Sequence, residues 1–199
     1  MPVKPFCFMT QEEKSRLYNQ AMQKTVAFAV EKLGVPVSEV ALRELSPGDE
    51  SAAADGTLID VDWKTAPAAA DAESWTEDSA DLTAAALSSV LVANEQVNEN
   101  TCITIYGFSD NTPDPDLTML QLMNGSEKVM SAQVEHCYIE APYGGFFVDN
   151  KGDVIICKWA PKDYIKWYLA CKTAADKNVV LLGFTAEIKG KNITVSLLK

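Results

Sequence analysis

The chemistry open to this sequence narrows at its histidine. His136 is the single histidine among 199 residues. Metal sites inside double-stranded β-barrels take two or more histidines, so the count excludes that class. A Ser-His-Asp or Cys-His site would have to use His136 itself. Cys137 follows it directly, and neighbours on a strand point to opposite faces, so the pair cannot be a base and its nucleophile. A hydrogen-bonded structural histidine is the expectation. The five cysteines (Cys7, Cys102, Cys137, Cys157 and Cys171) are odd in number, widely spaced and without a CxxC pair. All but Cys7 lie in or beside apolar runs, where a thiol behaves as a small hydrophobe. They read as core thiols of a reducing compartment, not as a disulfide framework.

Oxygen donors crowd one stretch, where Asp110, Asn111, Asp114 and Asp116 lie between Ser109 and Asp116. Such a loop can hold calcium, but the spacing is not that of an EF-hand. Asx turns around Pro113 and Pro115 explain the same residues. Asp149 and Asp153 flank a turn, where aspartates serve local backbone bonds. Two carboxylates are the apparatus of a glycosidase, yet with 28 acidic residues no pair stands out. Trp63, Trp75, Trp159 and Trp167, with Tyr143, Tyr164 and Tyr168, suit either a sugar-stacking face or a core. Trp75 lies in a polar segment and is the aromatic best placed to anchor a neighbouring molecule. The sequence thus assigns no catalytic residue, no metal and no cofactor.

The elements that would position these residues come next. Apolar residues make up 47% and charged residues 23%, a globular composition. The length suits one domain with an arm, or two small domains, and can bury a core without disulfides. A net charge of -11 with 17 Lys and Arg argues against a nucleic-acid partner, because phosphate binding needs a clustered positive field. Residues 1–10 lack the apolar run of a signal peptide, and no stretch is long enough to span a bilayer, so no membrane role is expected.

Thr10-Gln11-Glu12-Glu13 has the form of a capping box. Leu17, Tyr18, Ala21, Met22, Thr25, Val26, Ala29, Val30 and Leu33 follow as one helical stripe, and Gly34 and Pro36 stop it. The spacing predicts a helix over 11–33. Its stripe needs a partner, either the chain's own body or another subunit. On the second reading the helix is an arm over 1–36, and Leu17, Tyr18, Met22, Val26 and Val30, together with Trp75, are interface candidates.

Residues 37–199 read as a β-sandwich. Val37–Leu45 alternates as a strand, and 49–81 is an Ala/Asp-rich polar excursion with a short strand over 58–63. Asp81–Val92 leans towards strand over helix. Cys102–Phe108 and Leu117–Met123 are strands, the second ended by Asn124-Gly125, a strong hairpin signal. Lys128–Glu140 returns as a strand. Phe146–Val148 and Val154–Cys157 form a hairpin, Asp163–Ala174 alternates, Val179–Ile188 is the last long strand, and Ile193–Leu198 closes a further hairpin. Strands at this spacing, joined by Asn/Gly/Asp/Pro turns, predict a mainly β, antiparallel, jelly-roll-like sandwich preceded by one amphipathic helix.

Certain stretches carry a resemblance: Ile103-Thr104-Ile105-Tyr106-Gly107-Phe108, the hairpins after it, and Leu181-Leu182-Gly183-Phe184-Thr185-Ala186-Glu187-Ile188-Lys189-Gly190-Lys191. With Val40–Asp49 as an entering strand, the chain resembles the single jelly-roll proteins of virions: the minor capsid, cement and decoration proteins of phages and related viruses. The resemblance covers about three-quarters of the chain and rests on strand patterns. Segment 49–81 departs from it. It implies a virion protein made in a reducing cytoplasm, with no catalytic residues to carry over. Its partners would be copies of itself, as a homo-oligomer, and a capsid or other assembly protein. A carbohydrate- or ligand-binding sandwich is the alternative, and a carboxylate-based glycosidase the third reading.

Overall fold

The computed structural model describes residues 3–44, 90–110, 117–171 and 179–191. A short strand, β1 (Val3–Pro5), and a 3-10 turn (Phe6–Phe8) lead into helix α1 (Gln11–Leu33). Its bounds are those the stripe and the capping residues predict. The Thr10 hydroxyl accepts the Glu13 N–H at 3.2 Å, and Glu12 and Glu13 occupy the first turn, at the positive end of the helix dipole. Gly34 closes the helix at φ 68°, donating to the Val30 carbonyl, a left-handed cap that costs glycine nothing.

The strands follow as β2 (Val40–Glu44), β3 (Val90–Gln96), β4 (Thr101–Asp110), β5 (Leu117–Asn124), β6 (Glu127–Gln133), β7 (Gly144–Phe147), β8 (Cys157–Trp159), β9 (Tyr164–Cys171) and β10 (Val179–Ile188). The first sheet has the order β1-β7-β4-β10-β2, with β8 also on β4. The second has the order β3-β9-β5-β6. β7 and β8 share β4, β7 at 107–109 and β8 at 103–105. Counting β2 to β7, β9 and β10 as eight strands, two interleaved four-stranded sheets ordered 7-4-10-2 and 3-9-5-6 result, which is the jelly-roll arrangement.

Alternation sorts the side chains. Ile103 and Ile105 of β4 face the second sheet and join Phe108, Phe147, Trp159, Leu120, Leu122 and Trp167, each without exposed surface. Trp159 also satisfies its indole N–H on the Met123 carbonyl at 3.1 Å. On β10, Leu182 lies opposite Gly107 and Gly183 opposite Ile105, so Tyr106 is the extra residue of a bulge. Tyr106 shares the helix-facing side with Thr104, and the bulge turns Phe108 back to the core. Gly183 makes it possible, since a Cβ there would lie 2.2 Å from the Thr104 carbonyl oxygen.

The other face of the first sheet is covered by α1. Leu17 and Ala21 pack with Tyr106, Phe146 and Phe184, and Phe28 and Ala29 pack with Val40, Cys102 and Ala186. Between these clusters Thr25 donates to the Ala21 carbonyl at 2.8 Å and bonds the Thr104 hydroxyl at 2.6 Å. Of the two partners open to the stripe, its own sheet takes Leu17, Ala21, Phe28 and Ala29. Within the stretch expected as an arm, β1 is an edge strand of the first sheet and α1 forms a third layer, because a stripe of this length buries on the nearest apolar face.

Other expectations shift locally. Residues 37–39 form a 3-10 turn ahead of β2, closed by the Glu39 N–H on the Pro36 carbonyl at 2.9 Å. The strand expected over 128–140 ends at Gln133. Val134 leaves extended geometry at φ -123°, ψ 3°, and a 3-10 turn covers Glu135–Tyr138. The expected hairpin of Phe146–Val148 with Val154–Cys157 is reduced to a bridge between Val148 and Val154, and Cys157 moves on to pair with β4. The expected strands over 58–63 and 193–198, and the stretch 81–89, lie outside the described residues.

Candidate functional site

Among the described residues, the histidine, the buried thiols and several carboxylates are engaged within the fold. His136 sits on the 3-10 turn, not on a strand, and its Nε2–H donates to the Val3 carbonyl at 2.9 Å. That bond ties the turn after β6 to edge strand β1. Cys137 beside it is fully buried, and burial pushes its thiol up to about 12. Cys102 and Cys157 are pushed up to about 12 for the same reason. A thiol held that high is a poor nucleophile.

Carboxylates are similarly engaged. Glu187 of β10 is buried and paired with Arg43 of β2. Asp163 accepts from Asn124 at 2.7 Å and from the Ala160 N–H at 2.8 Å. Asp149 accepts the N–H groups of Lys151 and Asp153, and backbone bonds from Asp153 and then Lys151 hold it below the usual carboxylate range. This Asx-type turn presents Asp153 to Arg16 and Gln20 of α1, which latches the turn to the helix. Glu44 accepts the Tyr18 hydroxyl, and this bond, then burial, then the Glu44 charge push the Tyr18 phenol up to about 12. Among the described residues no group of three or more His, Cys, Asp or Glu side chains is placed to hold a metal. Asp110 is buried and accepts from the Tyr138 hydroxyl at 2.9 Å, while 111–116, the rest of the calcium-compatible loop, lies outside the described residues.

The sequence-derived interface candidates divide. Leu17 has no exposed surface and belongs to the chain's own core, so it cannot meet a neighbour. Tyr18 and Met22 are half-buried against the same cluster, and Val30 against the next. Val26 is half-buried, and Trp75 lies outside the described residues. Trp159 and Trp167 are core residues, as strand aromatics generally are.

Two shallow cavities flank the helix. One, of about 320 Å³, is lined by Gln11, Lys14, Ser15, Tyr18, Asn19 and Phe146. The other, of about 430 Å³, lies between α1 and residues 149–158, with Lys24, Phe28, Glu31, Asp149, Ile156 and Lys158 on its walls. Its lysines are engaged: Lys24 donates to the Val154 carbonyl and Lys158 lies over the Phe28 ring.

A broader feature is the outer face of the second sheet. Leu120, Leu122, Ile165 and Trp167 point inward, so alternation sends Met119, Gln121 and Met123 of β5 and Tyr164, Lys166 and Tyr168 of β9 outward. The registers agree, with Gln121 opposite Tyr168 and Met123 opposite Lys166. Gln121 also reaches the Met123 sulfur at 3.2 Å. Lys128 and Ser131 of β6 complete the face opposite Met123 and Gln121. Among the described residues no helix packs on it, in contrast to the first sheet. Sequence reasoning names Tyr164 and Tyr168 as candidates for a sugar-stacking face but does not join them to Met119, Gln121 and Met123 of β5.

No family model matches the chain, and no curated protein matches it. Among solved structures, one titled "Structure of infectious bursal disease virus Gx strain" is similar at 8% identity with a TM-score of 0.26. The similarity covers 53% of this chain and 29% of that one, so this chain spans less than a third of that chain's length. No helix among the described residues is long and apolar enough to cross a membrane.

Proposed function

We propose that this chain is a non-enzymatic structural protein of a virion or similar assembly, acting through subunit–subunit contacts. The observation that carries the reading is the jelly-roll strand order on a body whose histidine and buried carboxylate serve internal bonds and whose described thiols are mostly buried. Jelly rolls also build lectins and cupins, so the fold alone does not choose among them. What favours assembly is where the side chains are used: hydrogen bonds of His136, Asp149 and Asp153 join neighbouring parts of the scaffold, and a sheet face of Met and Tyr remains outside it. Its partners on this reading are copies of itself and a capsid or other assembly protein.

Light scattering on a size-exclusion column at two concentrations tests the proposal. A trimer, pentamer or larger ring supports it. A strict monomer counts against a self-assembling module and turns attention to ligand binding. That second reading is favoured by the cavity beside Tyr18 and Phe146, where aromatic carbon meets the polar side chains of Gln11, Ser15 and Asn19. A glycan screen examines it, and binding abolished by Asn19→Ala would support it.

A further inference from the structure

Among the described thiols, Cys102, Cys137 and Cys157 are buried, and Cys7 is half-buried. Cys7 lies on the 3-10 turn Phe6–Phe8, which the Met9 N–H closes on the Phe6 carbonyl at 3.2 Å. Phe8 beside it is 60% exposed, so this turn is at the surface. Cys137 lies on a second 3-10 turn, Glu135–Tyr138, where its own N–H bonds the Val134 carbonyl at 2.8 Å. The fold brings the two turns together. Both lie against β7, and β1, which runs directly into the first turn, lies against the second. The His136–Val3 bond pins that arrangement, and Val3 and Cys137 share one core cluster. The thiols also feel one another. Burial first, and the charge of Cys7 second, push the Cys137 thiol up to about 12.

We infer that Cys7 is a redox modification site and Cys137 its resolving thiol, so that a small-molecule disulfide of the glutathione class converts the two into a Cys7–Cys137 bond. The inference does not rest on the assembly reading. The Cys7 thiolate attacks one sulfur of the small disulfide. That S–S bond breaks, a mixed disulfide forms on Cys7, and the first glutathione leaves and takes up a proton. Cys137 then gives up its proton and attacks the Cys7 sulfur, and the second glutathione leaves as a thiol. Two electrons pass from the protein thiols to the small disulfide. In the mixed disulfide Cys7 carries no charge, so only burial still opposes the Cys137 thiolate, and the second step is the slower. Each cysteine sits on a single 3-10 turn, a short element that can adjust to the geometry a disulfide demands. The bond ties the lead into α1 to the turn after β6 and closes a loop that holds more than half of the chain. Cross-links that close long loops restrict the unfolded chain most. A reducing compartment keeps the pair open, and an oxidising one closes it.

The test incubates the full, folded chain with oxidised glutathione and follows it by intact mass, peptide mapping and urea unfolding. Cys7→Ser and Cys137→Ala accompany the wild type, and circular dichroism establishes that each is folded. The wild type is expected to gain one glutathione, then to lose it and end two hydrogen atoms lighter than the reduced chain. Mapping is expected to join the Cys7 peptide to the Cys137 peptide, and the urea midpoint to rise on oxidation and fall back on reduction. Cys7→Ser is expected to stay reduced, and Cys137→Ala to stop at the mixed disulfide on Cys7. A wild type that stays reduced, that stops at the mixed disulfide, or that joins Cys7 to a different cysteine overturns the inference. The wild-type map and Cys7→Ser decide the matter by themselves, so misfolding of Cys137→Ala does not remove the test.

Discussion

Single residues here act through the bonds they complete inside the fold. The Thr25–Thr104 pair shows how unequal two similar hydroxyls can be. Thr25 gives its proton to the Ala21 carbonyl, so Thr104 must be the donor between them. Thr104→Val then removes one bond and leaves Thr25 satisfied, whereas Thr25→Val strands a buried hydroxyl. Urea unfolding is expected to show Thr25→Val as the costlier change, by about 1 kcal/mol or more, with the double variant less destabilised than the sum of the two. Cys157 sets a pH dependence. Its thiol lies at about 12 in the folded chain against an ordinary 9.0. Between those values the unfolded chain releases a proton that the folded chain keeps, so stability falls as pH rises through that window. The slope from this thiol approaches about 1.4 kcal/mol per pH unit. Denaturation at pH 8, 9 and 10 is expected to show that fall, and Cys157→Ala to lessen it without abolishing it, because Cys102 and Cys137 are raised in the same way. The residue scale is also where sequence reading failed most. Cys137 is the buried thiol that its apolar surroundings predict, but His136 lies on a 3-10 turn where the pattern predicts a strand. The turn that holds it depends on a carbonyl 133 residues away, and no local pattern encodes that.

Elements were more legible, for reasons particular to each. The bounds of α1 were written into Thr10, Gly34 and an unbroken stripe, all local signals. β10 was legible because Val179–Ile188 is a long run of strand formers between turn residues. What the stripe of α1 packs against was not legible, because one periodic face fits a sheet of its own chain or a neighbour equally well. Leu17 shows the outcome. It is fully buried on the first sheet, so Leu17→Ala is expected to destabilise the fold by about 2–5 kcal/mol, read from the urea midpoint. Removing residues 1–34 uncovers Tyr106, Phe146 and Phe184 together, and the expected product is an aggregating chain, not a soluble sandwich. A soluble, cooperatively unfolding product would show that α1 is dispensable. At the bulge, Gly183→Ala places a methyl group against the Thr104 carbonyl. Its expected outcome is a chain that fails to fold or melts far below the wild type.

At the scale of the whole molecule, the antiparallel sandwich with one helix was legible from strand count and turn chemistry. The pairing order was not, since alternation says which residues face inward and nothing about which strand lies beside which. The same limit hid the outward face of the second sheet. Met119 and Met123 are unremarkable along the chain, and only the register of β5 with β9 brings them beside Tyr168.

The pairing order has a consequence in time. β1 pairs with β7 and β2 with β10, so both strands flanking α1 wait for partners far along the chain. The sheet face that receives the helix is built mainly on β4 and β10. As the chain leaves the ribosome, α1 emerges early with its apolar stripe formed and nowhere to place it. The stripe stays open until Val179–Ile188 has been made. Folding therefore waits on the synthesis of β10, as expected where contacts are distant in sequence. Nascent chains stalled before residue 179 are expected to remain protease-sensitive throughout and to engage chaperones at the helix, with protection appearing at once when β10 clears the exit tunnel.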